Sequence, residues 1–229
     1  MKKYTIILIA SALAVLTVSC KKESAGVTRI TYYPTITLQG DDPAIIKVGD
    51  AFTDPGFTAV MNGEDISSDV TVTSLIDNTT PGVYSVKYST TNSDGIVASA
   101  SRSVYVINPG NISNLYYGHS RNASGTRNYP GCPTLVLATS TPDVYFVDDL
   151  LAGYYYYGIY PGYEPTYDFH WEGYIKINTD NSISLVSSGD WLWYDPADTV
   201  VGSYDPANGT FSWVCYGSVG VTLTPITID

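Results

Sequence analysis

The sequence predicts an all-β protein: an immunoglobulin-like sandwich followed by an antiparallel β-meander domain, which is either a small barrel or a second sandwich. The composition is rich in Thr, Tyr, Gly, Ser and Val, as is typical of extracellular β proteins. Short runs that alternate apolar with polar residues recur along the chain. Gly, Pro, Asn and Asp separate these runs at regular intervals, and no helical period of useful length appears.

The chain begins like a signal peptide over residues 1–19. Two lysines, Lys2 and Lys3, precede the apolar segment Ile6–Val18, which is too short to span a membrane comfortably because spanning takes roughly 20 apolar residues. The ending Leu-Thr-Val-Ser-Cys resembles the processing box of bacterial lipoproteins. The resemblance implies cleavage before Cys20 and acylation of Cys20, so that acyl chains anchor the protein to a membrane. The alternative is an ordinary secretory signal with a chance cysteine.

The mature chain is strongly acidic. The net charge of the whole sequence is −11, and removal of residues 1–19 with their two lysines brings it to about −13. Residues 20–28 are polar and form a lipidated tether. Because nucleic acid and anionic lipid headgroups repel such a chain, we expect no nucleic-acid partner.

Residues 29–108 carry the pattern of the first domain. About seven short strands in some 80 residues are expected for an immunoglobulin-like sandwich. Turn signals such as Asp54-Pro55-Gly56 and Thr80-Pro81-Gly82 separate the strands. The predicted strands are Thr31–Tyr33, Thr35–Leu38, Ile45–Val48, Val70–Thr73, Val83–Tyr88 and Ser103–Ile107.

The same region resembles the bacterial immunoglobulin-like domain that many surface proteins use as a spacer. The matching marks are the turn at Asp54 with Ala59 after it, Asp77 before the next Pro-Gly turn, Tyr84, Tyr88, Asp94-Gly95 and Arg102. The resemblance implies a spacer function. Asp54 and Asp77 are interpreted as residues that cap turns, in preference to calcium ligands.

The linker Asn108-Pro109-Gly110-Asn111 ends the first domain, and residues 112–229 form an aromatic-rich antiparallel β domain. This second part holds 15 of the 21 tyrosines and all four tryptophans. Short strands joined by tight turns indicate an antiparallel meander. The predicted strands are Thr134–Ala138, Val144–Val147, Trp171–Ile177, Ser182–Ser187, Trp191–Tyr194, Thr199–Tyr204, Thr210–Tyr216 and Val219–Thr224, and Asp148–Ala152 is predicted to form one helical turn capped by Asp.

Phrases in this part resemble the C-terminal domains of outer-membrane lipoproteins from Bacteroides and its relatives, over about Leu135 to Trp213. The phrases are TSTPDVYFVDDLLAGYYYYG, WEGYIKINTDNSISLVSS and VVGSYDPANGTFSW. Those proteins often pair an immunoglobulin-like spacer with a β domain of unknown function, and many lipoproteins of that group belong to polysaccharide-uptake systems. The resemblance implies an outer-membrane lipoprotein, at the cell surface or facing the periplasm. Both orientations stay open because Lys21-Lys22-Glu23 is not clearly the acidic export signal of that group.

The stretch GYYYYGIYPGYEPTYDFHW, residues 153–171, is the first candidate site. Tyrosine rings offer contact area at low entropic cost, and aromatic faces stack on the C–H faces of sugar rings, so a glycan or a protein partner would suit this stretch. The alternative is packing at the rim of the domain, in which case alternation along an extended segment buries about half of the consecutive tyrosines. The residues expected to be exposed and to bind ligand are Tyr156, Tyr157, Tyr160, Tyr163 and Tyr167.

Two other groups are candidates. Trp191 and Trp193 share one face of a predicted strand, either as a further sugar-binding surface or as part of the core, the latter being preferred. Asp168, His170 and Glu172 also alternate, a spacing compatible with a metal or with acid and base catalysis. Neighbours on one strand rarely flank a cleft, so we interpret these three as a solvated polar edge. The sequence contains no nucleophile elbow, zinc-protease or phosphate-loop motif, so no catalytic residue, metal or cofactor is expected.

Cys132 and Cys215 remain after Cys20 is assigned to lipid. An exported chain lies in an oxidising setting, where the two form either a disulfide or a pair of buried thiols. Spacing alone does not decide between them.

The features together predict a lipid-anchored, non-catalytic binding protein of the cell envelope, acting as a glycan-binding accessory of a polysaccharide-uptake system. The alternative is a structural or protein-interaction lipoprotein, such as a partner of an outer-membrane transporter or a component of an adhesin. An enzyme that acts on glycans is a third hypothesis, and it requires two carboxylates facing each other across a cleft.

Overall fold

The computed structural model describes residues 30–163, 166–190, 199–215 and 218–228. The predicted signal peptide, Cys20, the predicted tether and the predicted strand with Trp191 and Trp193 lie outside the described residues. Within the described ranges, no helix has the length and apolar character needed to cross a membrane.

The first domain is the predicted immunoglobulin-like sandwich. One sheet has the order β1-β3-β4 and the other has the order β2-β7-β6-β5. Its core between the sheets contains Ala59, Val86, Tyr88 and Val104. The strands are β1 (Thr35–Leu38), β2 (Ala44–Lys47), β3 (Phe57–Met61), β4 (Glu64–Asp65), β5 (Thr71–Ser74), β6 (Gly82–Thr91) and β7 (Val97–Ile107), with a 3-10 turn at Ser67–Asp69.

A buried cation links the two sheets. Arg102 is fully buried, and its guanidinium donates hydrogen bonds to the carbonyl oxygens of Gln39, Asp41 and Gly56. Its Nε lies 3.7 Å from Oδ1 of Asp54, and the hydroxyl of Tyr88 donates to the other oxygen of that carboxylate at 2.7 Å. Three of the residues that carry the family resemblance, Asp54, Tyr88 and Arg102, therefore meet in one polar cluster of the sandwich.

The turn-capping interpretation of the two aspartates is confirmed. Asp54 Oδ1 accepts the amide of Gly56 at 2.9 Å. Asp77 Oδ1 accepts both the amide of Thr79 at 2.8 Å and its hydroxyl at 2.6 Å. These bonds are the local contacts by which aspartate stabilises turns.

The second domain is a closed barrel of eight antiparallel strands, so the alternative of a second sandwich is wrong for this domain. Each strand pairs with its neighbours in sequence, and β15 closes the barrel on β8 with seven residue pairs from Val219↔Asn122 to Pro225↔Tyr116. The strands are β8 (Asn114–Asn122), β9 (Asn128–Ala138), β10 (Val144–Val147), β11 (Gly173–Ile177), β12 (Ser182–Ser188), β13 (Val200–Asp205), β14 (Thr210–Cys215) and β15 (Val219–Pro225).

Four strand assignments from the sequence differ from the structure. Thr31–Tyr33 is not a strand, and β3 and β4 of the first domain are strands that the sequence analysis does not predict. β8, which is likewise not predicted, is a full strand of the barrel. Gly118 interrupts the alternation of apolar and polar residues along β8. Close packing against β9 and the turn at Ala152 requires glycine at this position. A Cβ at this position would lie 2.6 Å from Thr134 Oγ1 and 2.7 Å from the Cβ of Ala152.

The barrel has two ends with different surroundings. We call the end where β10 finishes and β11 begins the distal mouth, and it also holds the hairpin 123–127. The other end, the proximal mouth, adjoins the linker 108–113 and the connections 139–143, 178–181 and 206–209. The interior between them is packed with apolar side chains, as in other small barrels: Val136, Val147, Trp171, Ile175, Ile183, Phe211, Trp213 and Leu223.

The two domains touch through a small apolar cluster. Tyr105 and Ile107 of the first domain pack with Leu115 and Ile226 of the second. The rings of Tyr105 and Tyr117 meet edge to face with centroids 6.3 Å apart. The first domain therefore lies at the proximal side of the barrel.

Both cysteines of the barrel are thiols, so the disulfide alternative is wrong for Cys132 and Cys215. Cys132 lies on β9 directly beneath Gly153, and Cys215 ends β14 within the barrel core. Burial, followed by the nearby Asp149, raises the pKa of the Cys132 thiol to about 11. Both side chains act as small apolar groups of the core.

Candidate functional site

The connection between β10 and β11, residues 148–172, closes the distal mouth. Its inner face is buried in the barrel core: Leu150, Leu151, Ala152, Tyr154, Phe169 and Trp171. Two tryptophans hold it by their indole N–H groups. Trp213 donates to the carbonyl of Leu150 at 2.8 Å, and Trp171 donates to the carbonyl of Gly189 at 2.9 Å. The aromatic stretch of the sequence is therefore a plug anchored to the barrel interior.

A buried carboxylate organises the first turn of this plug. Asp149 is 2% exposed, and its Oδ1 accepts the amides of Leu151 at 3.0 Å and Trp171 at 3.3 Å. Its Oδ2 accepts the amide of Gly153 at 2.7 Å. The aspartate cap predicted after β10 is thus present, but Asp148–Ala152 is a hydrogen-bonded turn and not the predicted helical turn, because the amide of Ala152 donates to the carbonyl of Asp149 and helical structure begins only at Tyr154. The same side chain also ties the two ends of the connection together.

The four consecutive tyrosines form a π-helical turn, Tyr154–Ile159, so their extended alternation is wrong. Ala152 and Gly153 precede the turn with positive φ angles of 45° and 77°. Left-handed backbone is uncommon for alanine, and π-helical turns occur often at functional sites. Within this turn the exposure rises steadily from buried Tyr154 to exposed Tyr157.

Glycines set how closely the turn approaches the barrel. A Cβ at Gly153 would lie 2.5 Å from that of Cys132, and a Cβ at Gly158 would lie 2.4 Å from the ring of Tyr129. The ring of Tyr129 also meets Tyr154 edge to face at 5.6 Å. Arg127 of the neighbouring hairpin hydrogen-bonds to Tyr154. These contacts hold the turn in one position on the rim.

Three tyrosines of the expected set are exposed: Tyr157, Tyr163 and Tyr167, at 41%, 51% and 49%. Tyr163 and Tyr167 lie beside the buried Phe169, with ring centroids 5.9 and 6.1 Å from it. The ring of Tyr160 stacks on Phe169 at 4.9 Å. We call Tyr163 and Tyr167, with Phe169 and Tyr160 behind them, the aromatic platform.

Tyr156 and Tyr160 were expected among the exposed residues, and that expectation is wrong because both are half-buried. The ring of Tyr156 lies against that of His170, with centroids 3.7 Å apart. Tyr160 is covered by Phe169 on one side and by Tyr155, stacked at 6.2 Å, on the other. These two rings support the exposed tyrosines.

The three alternating polar residues do not form one group: Asp168 pairs with His170, and Glu172 takes no part in that pair. Asp168 Oδ1 lies 2.7 Å from Nδ1 of His170 and also accepts its amide, while Glu172 is exposed. Among the described residues, no group of three or more His, Cys, Asp or Glu side chains has a geometry able to hold a metal ion.

Sequence reasoning missed the electrostatic importance of Asp148. Its Oδ1 accepts the amide of Leu135 at 2.8 Å. Burial, opposed by that hydrogen bond and reinforced by the adjacent Asp149, raises the pKa of Asp148 to about 7. Burial likewise raises the pKa of Asp149. The sequence does contain a signal for this burial: the acidic pair Asp148-Asp149 stands directly between a buried strand and the apolar segment Leu150-Leu151-Ala152.

A first prediction concerns the pH dependence of stability. The folded state holds the Asp148 proton up to about pH 7, whereas the unfolded chain releases it near the ordinary value of 3.8. The folded state therefore binds more protons in this window, and the contribution of Asp148 to stability falls as the pH rises through it. We expect the free energy of unfolding of Asp148→Asn to equal that of the wild type near pH 4. Above pH 8 it should exceed the wild-type value by about 2 to 4 kcal/mol.

Urea unfolding across this pH range measures the difference. Asp180→Asn is the matched control, because the hydroxyl and amide of Ser182 lower the pKa of Asp180, so its replacement changes stability in the opposite direction. Equal stability of Asp148→Asn and wild type at every pH would contradict the prediction.

Comparison with known proteins identifies both halves of the chain. Residues 36–106 match the family of the bacterial surface protein Ig-like domain. Residues 108–225, which make up more than half of the chain, match a family described as a C-terminal domain. No match was found among curated proteins.

Among solved structures, the crystal structure of the lipoprotein BT2262 from Bacteroides thetaiotaomicron is similar to this chain. The identity is 28% and the TM-score is 0.57, and the match covers 83% of this chain and 98% of that one. A structure of the M60 catalytic domain with CBM51-1 and CBM51-2 from Clostridium perfringens ZmpB matches with a TM-score of 0.29 and 16% identity, over 80% of this chain and 14% of that one. A TM-score of that size does not establish a common fold.

Proposed function

This chain belongs to the family of that C-terminal domain, preceded by a bacterial surface protein Ig-like domain, and on this premise we propose that it is a lipid-anchored, non-catalytic glycan-binding protein of the cell envelope. Acyl chains on Cys20 attach it to the outer membrane. The first domain spaces the barrel from the lipid, and the distal mouth presents the aromatic platform. Its similarity to a lipoprotein from Bacteroides thetaiotaomicron supports the anchored location.

The observation that carries the proposal is the exposure of Tyr163 and Tyr167 beside buried Phe169. Large aromatic rings normally bury their faces, so two half-exposed rings held by a core residue are a surface prepared for a partner. Sugar rings present apolar C–H faces to such rings, and tyrosine hydroxyls can exchange hydrogen bonds with sugar hydroxyls. The acidic charge of the chain favours neutral glycans over acidic ones.

A second prediction tests this function. We expect native gels that contain neutral polysaccharides to retard the wild-type protein. Replacing Tyr163 or Tyr167 with alanine removes one ring from the contact and weakens binding about 2- to 10-fold each, and the double variant migrates as in a gel without polysaccharide.

Tyr33→Ala is the matched control, because Tyr33 is 66% exposed but belongs to the first domain. It is expected to be retarded like the wild type. Absence of retardation on every polysaccharide, or equal retardation of wild type and the Tyr163/Tyr167 double variant, would refute the proposed function of the platform.

The alternative function is protein interaction, and one observation favours it. Val201 and Val214 are direct cross-strand neighbours on the outer wall of the barrel, and both are exposed, Val201 to 67%. If this wall binds an outer-membrane protein, crosslinking in cells captures that protein, and Val201→Lys abolishes the crosslink while the Tyr163/Tyr167 double variant retains it. The two functions therefore respond to different variants.

A further inference from the structure

The proximal mouth of the barrel contains a second concave surface, at the opposite end from the aromatic platform. Two adjoining hollows of about 260 and 270 Å³ share Tyr204 as a common wall. Small barrels commonly bind ligands in their mouths, and each hollow is near the lower size limit of ligand pockets. We call the two hollows together the proximal pocket.

Barrel closure brings three tyrosines to this pocket. Tyr116 lies on β8, Tyr145 on β10 and Tyr204 on β13, which are spaced around the barrel rather than adjacent. Tyr145 is paired with Ile175 and Tyr204 with Phe211, and both of these partners are buried in the barrel interior. Because cross-strand partners point to the same face of a sheet, both tyrosines point into the interior at its proximal end.

The hydroxyl groups of the three tyrosines differ in their bonding. Tyr116 donates to the carbonyl of Ile112 at 2.9 Å and forms the floor of the pocket. Tyr145 and Tyr204 are half-buried, and among the described residues their hydroxyls have no hydrogen-bond partner. Burial raises the pKa of both hydroxyls. Asp143 adds to this effect at Tyr145, and Tyr145 adds to it at Tyr204, so both hydroxyls stay protonated and can donate hydrogen bonds. Because they are not buried without a partner, these hydroxyls are open to solvent and can exchange hydrogen bonds with a polar ligand.

The rim of the pocket is polar and carries no basic residue. Asn178, Thr179 and Asn181 line one side, and Asn111 and Asn208 line the other. Asp143 is the one charged residue among those lining the two hollows. The Asp143 carboxylate would repel an anionic ligand. A simple cation cannot accept hydrogen bonds, so it would leave the amide and hydroxyl donors of the pocket without a partner. Groups that both donate and accept hydrogen bonds match sugar hydroxyls, while the tyrosine rings match the apolar faces of the sugar.

We propose that the proximal pocket is a second binding site of this protein, which takes one or two rings of a short neutral saccharide. The rings of Tyr145 and Tyr204 contact the faces of the sugar, and their hydroxyls and the amides of the rim bind its hydroxyls. The site is separate from the platform and does not depend on it. A polysaccharide held at the distal mouth and a short saccharide held at the proximal mouth are thus bound by different residues.

Amide NMR of the full mature chain, titrated with millimolar glucose, galactose, N-acetylglucosamine and cellobiose, tests the site. We expect at least one of these sugars to shift resonances in the connections 139–143, 178–181 and 206–209. Tyr204→Phe removes only a hydroxyl and is expected to weaken binding roughly 3- to 10-fold. Asn181→Gly is expected to do the same, and it keeps the backbone unstrained because Asn181 has a φ of 63°.

The matched control is Asn62→Gly, which makes the same change at another positive-φ asparagine, in the first domain. It should leave the shifts of the connections 139–143, 178–181 and 206–209 unchanged, as should the Tyr163/Tyr167 double variant, so the outcome for this site can be separated from that for the platform. The proposal is overturned if none of the four sugars shifts the proximal connections, or if the shifts are confined to the distal mouth. It is also overturned if glucuronic acid binds the pocket as strongly as glucose.

Discussion

Replacing Arg102 with methionine is expected to destabilise the first domain by about 3 to 5 kcal/mol and to leave the unfolding transition of the barrel in place. The guanidinium is fully buried and donates to three backbone carbonyls in the connections that follow β1 and precede β3. Methionine fills most of the volume but donates nothing, so these carbonyls and the Asp54 carboxylate lose their partner inside the sandwich. Removing one member of a buried polar group leaves the others unsatisfied, which is the most costly way to disturb it.

Scanning calorimetry of the full chain measures this effect, because the two domains have separate hydrophobic cores and are expected to unfold in separate transitions. The midpoint temperature of the first domain's unfolding transition should fall by more than about 10 °C. Lys87→Met removes an exposed cation from the neighbouring strand β6 and should change stability by less than about 0.5 kcal/mol. Arg102→Lys keeps the charge without the forked donors and should be intermediate. If Arg102→Met lowers the free energy of unfolding by less than about 1 kcal/mol, the buried guanidinium of Arg102 does not stabilise the sandwich.

Replacing Asp149 with alanine is expected to release the plug from the distal mouth and to destabilise the barrel by about 3 kcal/mol or more. The carboxylate accepts the amides of Leu151, Gly153 and Trp171, and all three bonds are lost together. Each buried amide left without a partner costs roughly 1 to 3 kcal/mol. Because these bonds join the two ends of the connection, the aromatic platform should lose its fixed position as well.

Hydrogen exchange and calorimetry separate the two parts of this prediction. In Asp149→Ala the amides of Leu151, Gly153 and Trp171 should exchange fast, and retardation on polysaccharide gels should fall. Asp168→Ala removes an exposed carboxylate from the same connection and should cost no more than about 1 kcal/mol. Unchanged protection of those three amides in Asp149→Ala would mean that the tryptophans hold the plug without it.

Much of the architecture was readable from local patterns. The alternation along Val144–Val147 and Val219–Thr224 predicted strands that the structure contains almost residue for residue. Alternation is informative there because each strand buries one face in a common core. β8 was missed because Gly118 and polar neighbours break its pattern, although closure of the barrel pairs it on both sides. Barrel pairing is a long-range property that a single strand does not reveal.

The candidate site was predictable in place but not in detail. Its location in the connection after β10 followed from the concentration of tyrosines among glycines and prolines. Tyr156 and Tyr160 were assigned to the surface on an alternation that a π-helical turn does not follow. Their burial depends on contacts with His170 and Phe169, which are 14 and 9 residues away along the chain.

The sequence by itself determined that this protein is built from β-strands, that its first domain is an immunoglobulin-like sandwich and that its aromatic residues gather in one connection of the second. These properties follow from composition, alternation and turn chemistry, which act over a few residues. Tertiary structure alone decided which tyrosines are exposed, that Asp149 ties the plug to its barrel, and that Tyr116, Tyr145 and Tyr204 share one pocket. The physical reason is barrel closure, which sets side chains from distant strands around one interior.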